Sequence, residues 1–262
     1  MQIAAIQTKI FWEDPASNYQ HLEKLLMPID NVDLIVLPEM FTTGFTMNSM
    51  NVAEMNEGKT LDWMGKLAAH KKAVVTGSIV VKEEGKFYNR LYWVRPEKTF
   101  VTYDKKHLFR MAKENQFYSE GKSRLITSHK GVRFCPMICY DLRFPVWSRN
   151  IDKNNQTVYD CLIYVANWPE PRTDAWVSLL KARAIENQAY VIGVNRVGND
   201  GNSVNYSGGS SVFDPKGNRL DQFVLHKEQV EIIHLDINKL EEFRKKFPTY
   251  LDAGFLPHIL KT

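Results

Sequence analysis

The sequence predicts an α/β fold in which two β-sheets pack face to face and helices cover their outer faces. About a dozen segments have the short, apolar and β-prone composition of strands, and four or five longer segments have the apolar stripe or capping residues of helices. One simple parallel sheet would not hold so many strands, whereas two packed sheets can. The 262 residues contain no internal repeat, low-complexity tract or linker, so we expect a single domain over residues 1–262.

Helices and strands are predicted to alternate along the first part of the chain. Asp14 followed by Pro15 is typical of a helix start, and this helix is expected to end near Leu26. Thr60 is expected to cap a second helix that ends near His70 and has one apolar stripe. The strands predicted in this part cover residues 2–7, 34–37, 73–81, 87–94 and 99–104.

The second part of the chain is predicted to be richer in strands. Turn residues at 129–131 and 214–218 separate apolar runs, which is typical of strands that fold back on each other. Helices are predicted over residues 174–187 and from about 238 to 247. The predicted strands cover residues 125–128, 132–138, 160–167, 190–195, 208–213, 220–225 and 230–236.

Composition argues against several classes of function. The net charge of +4 comes from 34 basic and 30 acidic residues with no long basic block, so we expect neither nucleic acid nor a membrane as a partner. The first residues lack the features of a signal peptide or a membrane span. Three cysteines, an odd number without CxxC spacing, fit a reducing cytoplasm and predict neither a disulfide framework nor a structural metal.

Three predicted strands end on residues that can do chemistry. Cys139 follows the strand at 132–138, Glu39 follows the strand at 34–37, and Lys105 follows the strand at 99–104. A thiol, a base and a cation at strand ends favour a reaction centre on an α/β scaffold. The turn expected after Cys139 has free backbone N–H groups, which could lower the pKa of the thiol and bind an oxyanion. Cys135 and Cys161 lie inside apolar strands and are expected to be buried and inert.

The nature of the base and the cation is partly open. The apolar residues 40–45 follow Glu39, and a carboxylate between apolar walls can act as a base near neutral pH. Lys105 and Lys106 should point to opposite faces, although alternation does not tell which one is internal. His107 is the histidine beside the other candidates, so a Cys–His pair is weaker than a Cys–Glu–Lys arrangement. A serine hydrolase is disfavoured because no GxSxG motif is present.

These segments together resemble the nitrilase, or carbon–nitrogen hydrolase, superfamily, and within it the ω-amidase branch. The resemblance covers nearly the whole chain, and its motifs occur in the family's order. They lie at residues 3–7, 37–39, 104–109, 138–145, 182–188 and 214–217.

The resemblance implies a fold, a mechanism and a set of catalytic residues. The fold is a four-layer αββα sandwich that pairs into a homodimer. Independently of the resemblance, the stretch from about residue 247 is too apolar for a free tail, so we expect it at the dimer interface. The chemistry is hydrolysis of a small carboxylate-bearing ω-amide, of the 2-oxoglutaramate or 2-oxosuccinamate type, without metal or cofactor. The resemblance assigns the thioester to Cys139, the base to Glu39, the oxyanion contacts to Lys105 and the Tyr140 N–H, and a second glutamate to Glu114, seven residues before Gly121. It leaves Lys106 and Glu120 as surface residues.

Substrate contacts are predicted less directly. Arg143 is expected to pair with a buried acid, although Arg143 or Arg172 could also bind a substrate carboxylate. Arg183 and Glu186 are expected to form an ion pair. Apolar walls and the rim of the site are assigned to Phe41, Phe45, Phe117, Trp147, Asn167 and Trp168.

Other functions remain open at this point. Another branch of the superfamily would act on an N-carbamoyl amino acid, deaminated glutathione or a nitrile. A non-catalytic member that kept the fold is a further alternative, and the presence of Glu39, Lys105, Glu114 and Cys139 together counts against it.

Overall fold

The computed structural model describes residues 1–252. The strands in chain order are β1 (Gln2–Gln7), β2 (Leu34–Val36), β3 (Glu54–Met55), β4 (Val74–Glu83), β5 (Lys86–Val94), β6 (Phe100–Asp104), β7 (Thr127–His129), β8 (Val132–Ile138), β9 (Cys161–Ala166), β10 (Tyr190–Asn195), β11 (Val197–Asn199), β12 (Asn205–Ser207), β13 (Ser211–Phe213) and β14 (Gln229–His234). The helices are α1 (Pro15–Leu26), α2 (Ser49–Val52), α3 (Lys59–Lys71), α4 (Glu114–Phe117), α5 (Thr173–Asn187) and α6 (Ile237–Lys246).

The strands form two main sheets and a small ribbon. The larger sheet has the order β14-β1-β2-β4-β5-β6, with β3 beside β4, and the smaller sheet has the order β13-β10-β9-β8-β7. The ribbon consists of β11 and β12. The centre of each sheet is parallel: β1, β2 and β4 in the larger, and β8, β9 and β10 in the smaller. Parallel strands bring their carboxyl ends to the same edge, where chemistry-bearing residues are usually found.

The two sheets pack on each other through large apolar side chains. Trp93 from the larger sheet and Phe134 from the smaller lie with ring centroids 4.9 Å apart in the core between the sheets. Helices α1 and α3 cover the outer face of the larger sheet through Leu22 and Met64, and α5 packs on the smaller sheet through Trp176. The predicted arrangement of two sheets with helices outside is therefore confirmed.

Most predicted elements are present, and the start of the first helix is confirmed. Asp14 is the N-cap of α1, since its side chain accepts a hydrogen bond from the Ser17 N–H at 3.0 Å. The predicted cap at Thr60 is wrong, because α3 begins at Lys59 with Gly58 as its N-cap. Thr60 instead lies in the first turn, where its N–H donates to Glu54 at 2.8 Å.

Two predicted strands differ from the structure. The strand expected over 208–213 begins only at Ser211, because Gly208 and Gly209 have φ values of +79° and +70° that no strand residue adopts. The strand expected over 220–225 does not form a ladder. There the Asp221 carboxylate accepts hydrogen bonds from the Val212 and Phe223 N–H groups, at 2.6 and 3.1 Å. These N–H groups therefore bond to a side chain and not to the backbone carbonyl of a neighbouring strand.

The C-terminal part of the chain was predicted to reach a dimer interface. The segment from Thr249 to Leu251 forms one 3₁₀ turn, and the remainder of the predicted tail lies outside the described residues. The homodimer stays a prediction. Within residues 1–252, no helix combines the length and the apolar character that crossing a membrane requires.

Candidate active site

A cavity of about 720 Å³ opens at the edge where the carboxyl ends of the parallel strands meet. Lys105 and Cys139 both line it, and so does Tyr140. Its remaining walls come from the segments after β2, β6, β8 and β9 and from the β11–β12 ribbon with its connecting loop. Those walls include Phe45, Met47, Phe109, Met111, Arg143, Asn167, Trp168, Arg172 and Tyr206.

Cys139 lies where β8 ends and a 3₁₀ turn over Cys139–Arg143 begins. Its φ of +44° places it in the left-handed region, so the chain turns sharply at the thiol. The buried Asp141 carboxylate holds this turn, because it accepts the Ile138 N–H at 3.1 Å. Asp141 also accepts the Tyr103 hydroxyl at 2.7 Å and the His107 N–H at 2.9 Å, which ties the thiol-bearing turn to the segment that carries Lys105.

Lys105 lies between two carboxylates, and we call these three residues the charged cluster (Glu39, Lys105 and Glu114). Lys105 Nζ is 2.8 Å from Glu39 Oε1 and 3.0 and 3.1 Å from the two Glu114 oxygens. All three side chains are fully buried. Burial by itself lowers the pKa of Lys105, but the charges of Glu114 and Glu39 outweigh burial and raise it above its ordinary value. The lysine is therefore a permanent cation in this site.

Strand alternation left open whether Lys105 or Lys106 is internal, and the structure shows that it is Lys105. The Lys105 side chain is 0% exposed and reaches the charged cluster, whereas Lys106 is 23% exposed and lies 3.4 Å from the surface residue Glu120.

Glu39 is fixed at both carboxylate oxygens. Oε1 accepts Lys105 Nζ and the Asn89 side-chain amide, each at 2.8 Å. Oε2 accepts the Asn167 backbone N–H at 2.7 Å. The Asn167 carbonyl in turn lies 3.9 Å from Cys139 Sγ. The backbone of Asn167 therefore contacts both Glu39 and the thiol.

Glu114 is held by the backbone as well as by Lys105. Its Oε2 accepts the Phe109 N–H at 2.5 Å. Seven residues after Glu114, close packing requires a glycine at position 121, because a Cβ on Gly121 would lie 2.1 Å from the Asp104 carbonyl oxygen. The Gly121 N–H donates to the Lys105 carbonyl at 2.9 Å, so this close approach fixes the backbone that carries the lysine.

The expected activation of the thiol by turn N–H groups is wrong. Burial raises the pKa of Cys139 well above its ordinary value, the nearby Glu39 charge raises it further, and Lys105 offsets only part of this. The thiol is therefore protonated in the free site, and reaction requires a base to take its proton. Burial likewise raises the pKa of Cys135, to about 12, and that of Cys161.

Three predicted wall residues lie outside the cavity. Phe41 is buried in the core beneath the larger sheet's outer face, against Trp63. Phe117 lies on the surface and is 42% exposed. Trp147 packs beside the core and donates its indole N–H to Tyr103 at 3.0 Å. The other three predicted wall and rim residues, Phe45, Asn167 and Trp168, do line the cavity.

Both candidate arginines line the cavity. Arg143 was expected to pair with a buried acid, but it is exposed and its guanidinium lies 5.0 Å above the Trp168 ring. Arg172 lies 5.6 Å above the Phe109 ring. Among residues 1–252, neither arginine has a carboxylate within 4 Å.

The ion pair expected between Arg183 and Glu186 is confirmed at 3.0 Å.

Sequence reasoning missed Asn89 and the β11–β12 ribbon. Asn89 donates to Glu39, and the ribbon contributes Tyr206 and its connecting loop contributes Asp200 to the cavity wall. The signal for Asn89 was a polar pair, Asn89 and Arg90, in the middle of the otherwise aromatic and aliphatic 87–94 segment, where alternation sends one side chain to each face. Among the described residues, no His, Cys, Asp and Glu side chains form a group of three that could hold a metal ion.

Comparisons with known proteins agree with this geometry. A family model described as carbon-nitrogen hydrolase matches residues 2–245. The chain is 43% identical to omega-amidase YafV of Escherichia coli (strain K12), over 97% of this chain and 96% of that protein. It is 32% identical to 2-oxoglutaramate amidase of Bacillus subtilis (strain 168), over 95% of this chain and 96% of that protein.

A solved structure shares the whole architecture. The crystal structure of XC1258 from Xanthomonas campestris is described as that of a CN-hydrolase superfamily protein with an arsenic adduct in its active site. It superposes with a TM-score of 0.94 at 40% identity and covers 98% of each chain. The four-layer αββα fold implied by the resemblance is thereby confirmed. The chain belongs to the carbon–nitrogen hydrolase family.

Proposed function

We propose that this protein hydrolyses the terminal amide of small ω-amides that carry a carboxylate at their far end, of the 2-oxoglutaramate or 2-oxosuccinamate type. The observation that carries the proposal is the buried charged cluster beside the Cys139 thiol. It supplies a cation and a nucleophile on the wall of one cavity and, hydrogen-bonded to that cation, a carboxylate base, which is what acyl transfer from an amide requires. The relatives named for ω-amidase and 2-oxoglutaramate amidase activity support the substrate class.

The first half of the reaction forms a thioester and releases ammonia. Glu39 takes the thiol proton as Cys139 Sγ bonds to the amide carbon, and the carbonyl oxygen becomes an oxyanion. Lys105 and the Tyr140 N–H stabilise that oxyanion, and each such donor contributes about 3–4 kcal/mol. The C–N bond then breaks, and protonated Glu39 gives its proton to the departing nitrogen, which leaves as ammonia.

The second half hydrolyses the thioester. Glu39 is again a carboxylate and takes a proton from the attacking water as its oxygen bonds to the thioester carbon. The new oxyanion uses the same donors, the C–S bond breaks, and the thiolate receives the proton from Glu39. The products are the carboxylic acid and the free Cys139 thiol, so the site returns to its starting state.

Glu114 keeps the cation in place through both halves. It contacts Lys105 Nζ with both oxygens and is anchored on the Phe109 N–H. Because Glu39 gains and loses a proton during the reaction, its pairing with Lys105 changes at each step. A second carboxylate that takes no part in proton transfer keeps the lysine charged and oriented, and could also position the substrate amide.

Recognition of the far carboxylate is assigned to Arg143 or Arg172. Both line the cavity, both lie over aromatic rings, and their guanidinium groups are not engaged by a carboxylate among residues 1–252. An arginine fork binds a carboxylate through two parallel hydrogen bonds.

Cys139 is expected to be alkylated before the other two cysteines. Cys139 is 8% exposed and adjoins the base Glu39, whereas Cys135 and Cys161 are 0% exposed. Reaction of a thiol depends on access and on formation of the thiolate. Treatment with iodoacetamide followed by peptide mass mapping measures the order of labelling. Labelling of Cys135 first, with activity retained, would overturn the assignment of the nucleophile.

2-Oxoglutaramate is expected to exceed the neutral amide butyramide in kcat/KM by more than about tenfold, or 1.4 kcal/mol. The reason is that a neutral substrate cannot form the two parallel hydrogen bonds that a carboxylate makes with the arginine. Ammonia release measures this, with glutamine, an N-carbamoyl amino acid and a nitrile assayed in parallel. The variants Arg143→Leu and Arg172→Leu separate the two candidates. Only loss of the carboxylate-binding arginine should raise KM for the oxo acid while leaving KM for butyramide unchanged.

Each result has a definite meaning. A preference below tenfold removes carboxylate recognition and leaves the amidase chemistry. Fastest turnover of the carbamoyl compound or the nitrile places the protein in another branch of the family. No turnover of any of them favours a non-catalytic member.

A further inference from the structure

Asn89 is a fully buried polar residue on β5 that the reaction described above does not use. Along β5, side chains alternate between the two faces of the sheet. Arg90 points toward Asp104 and Glu83, with contacts of 2.7 and 2.8 Å. Asn89 points the other way, toward the charged cluster, and is 0% exposed.

Asn89 contacts every member of the charged cluster. Its side-chain Nδ2 is 2.8 Å from Glu39 Oε1 and 3.5 Å from Glu114 Oε1. Its backbone carbonyl accepts the Lys105 N–H at 3.0 Å. One residue therefore fixes the lysine through the backbone and the two carboxylates through its side chain.

The orientation of the amide follows from its neighbours. Both contacts of the side chain are carboxylate oxygens, which can only accept, so the NH₂ group must face them. Among residues 1–252, the opposite end of the amide, Oδ1, has no hydrogen-bond partner. Asn89 therefore serves as a donor to the charged cluster.

The charge count explains why a neutral donor is useful here. Two carboxylates and one ammonium leave one excess negative charge in a fully buried site, and an uncompensated buried charge is costly. A neutral amide donor stabilises the charged form of a carboxylate without adding a group that titrates. It also occupies Glu39 Oε1, while the other oxygen, Oε2, accepts the Asn167 N–H.

We propose that Asn89 is a positioning residue that keeps Glu39 ionised and oriented as the base for Cys139. This inference rests on the role proposed for Glu39. The side-chain amide of Asn89 contacts Glu39 and Glu114, so Asn89 acts through these carboxylates and not on the substrate.

The test removes the donor in two ways, with Asn89→Leu and Asn89→Ala. Leucine nearly preserves the side-chain volume and alanine does not. If Asn89 acted only by filling space, the leucine variant would behave like the wild type and the alanine variant would not. Loss of the donor removes a hydrogen bond that stabilises an ionised carboxylate, so the acid limb of the rate should move to higher pH in both variants alike. A hydrogen bond to a charged group predicts a movement of about one pH unit.

The pH dependence is measured on two reactions. The first is the rate of Cys139 alkylation by iodoacetamide, which requires no amide substrate. The second is kcat/KM for 2-oxoglutaramate, for which KM should stay near the wild-type value. Asn150→Leu is the matched control: Asn150 is a buried asparagine with hydrogen bonds to Tyr159 and Asn187, and its loss should lower stability without moving the acid limb.

A common shift of the acid limb in Asn89→Leu and Asn89→Ala, absent in Asn150→Leu, supports the proposal. An acid limb that stays in place in either variant while Cys139 still labels at full stoichiometry overturns it. If the wild-type protein does not hydrolyse ω-amides, the proposed function fails, and the alkylation profiles still decide the role of Asn89.

Discussion

Lys105→Ala is expected to lower kcat by about 10²–10³, whereas Lys106→Ala should stay near wild type. Lys105 Nζ lies in the charged cluster, and loss of one oxyanion donor has an effect of this size. Lys106 is a partly solvated surface residue with one long contact to Glu120, and such residues contribute little. Steady-state kinetics on 2-oxoglutaramate compares the two variants directly.

The two variants should also differ in stability. Removing Lys105 leaves Glu39 and Glu114 buried without a cation, and breaking a buried ion pair costs about 3–5 kcal/mol. Circular dichroism melts therefore accompany the kinetics, which are measured at a temperature where both variants are folded. Equal turnover in two folded variants would show that the alignment of the lysine motif is wrong.

Glu39→Gln is expected to lower kcat by about 10²–10⁴, the range for loss of a general acid–base group. Glutamine keeps the shape of the side chain but cannot take the proton from a thiol whose pKa burial holds high. The same variant should slow alkylation of Cys139, because the protonated thiol then lacks a base. Both rates are measurable on one preparation.

Glu120→Gln is the matched control for this variant, since Glu120 lies on the surface, 64% exposed. It should leave both rates unchanged. Glu39→Gln with wild-type alkylation and wild-type kcat would mean that another group accepts the proton.

The strand ends could be predicted from the sequence because each is a local pattern. An apolar run that stops at Cys139, Glu39 or Lys105 indicates both a buried strand and a polar edge, and parallel strands bring such edges together. Alternation alone did not choose between Lys105 and Lys106. The resemblance chose Lys105, and the structure places that side chain in the charged cluster.

Contacts between distant segments were beyond sequence reasoning. Phe41 and Phe45 are both aromatic residues of one loop, yet only Phe45 reaches the cavity, because Phe41 turns under the larger sheet. Arg143 looked like one half of an ion pair, but Trp168, which follows another strand, provides its neighbour. The pKa of Cys139 was misjudged for the same reason, since burial and the Glu39 charge depend on how the sheets pack.

Cys139 has a φ of +44°, a backbone conformation that glycine adopts freely and that costs a residue with a Cβ of order 1–3 kcal/mol. Asp141 holds the turn from the other side, through the Ile138 N–H and the side chains of Tyr103 and His107. The proposed nucleophile thus lies on a backbone conformation that cysteine adopts at a cost, and the hydrogen bonds of Asp141 offset that cost. The position of Sγ is therefore set by the backbone of the turn as well as by the side-chain rotamer.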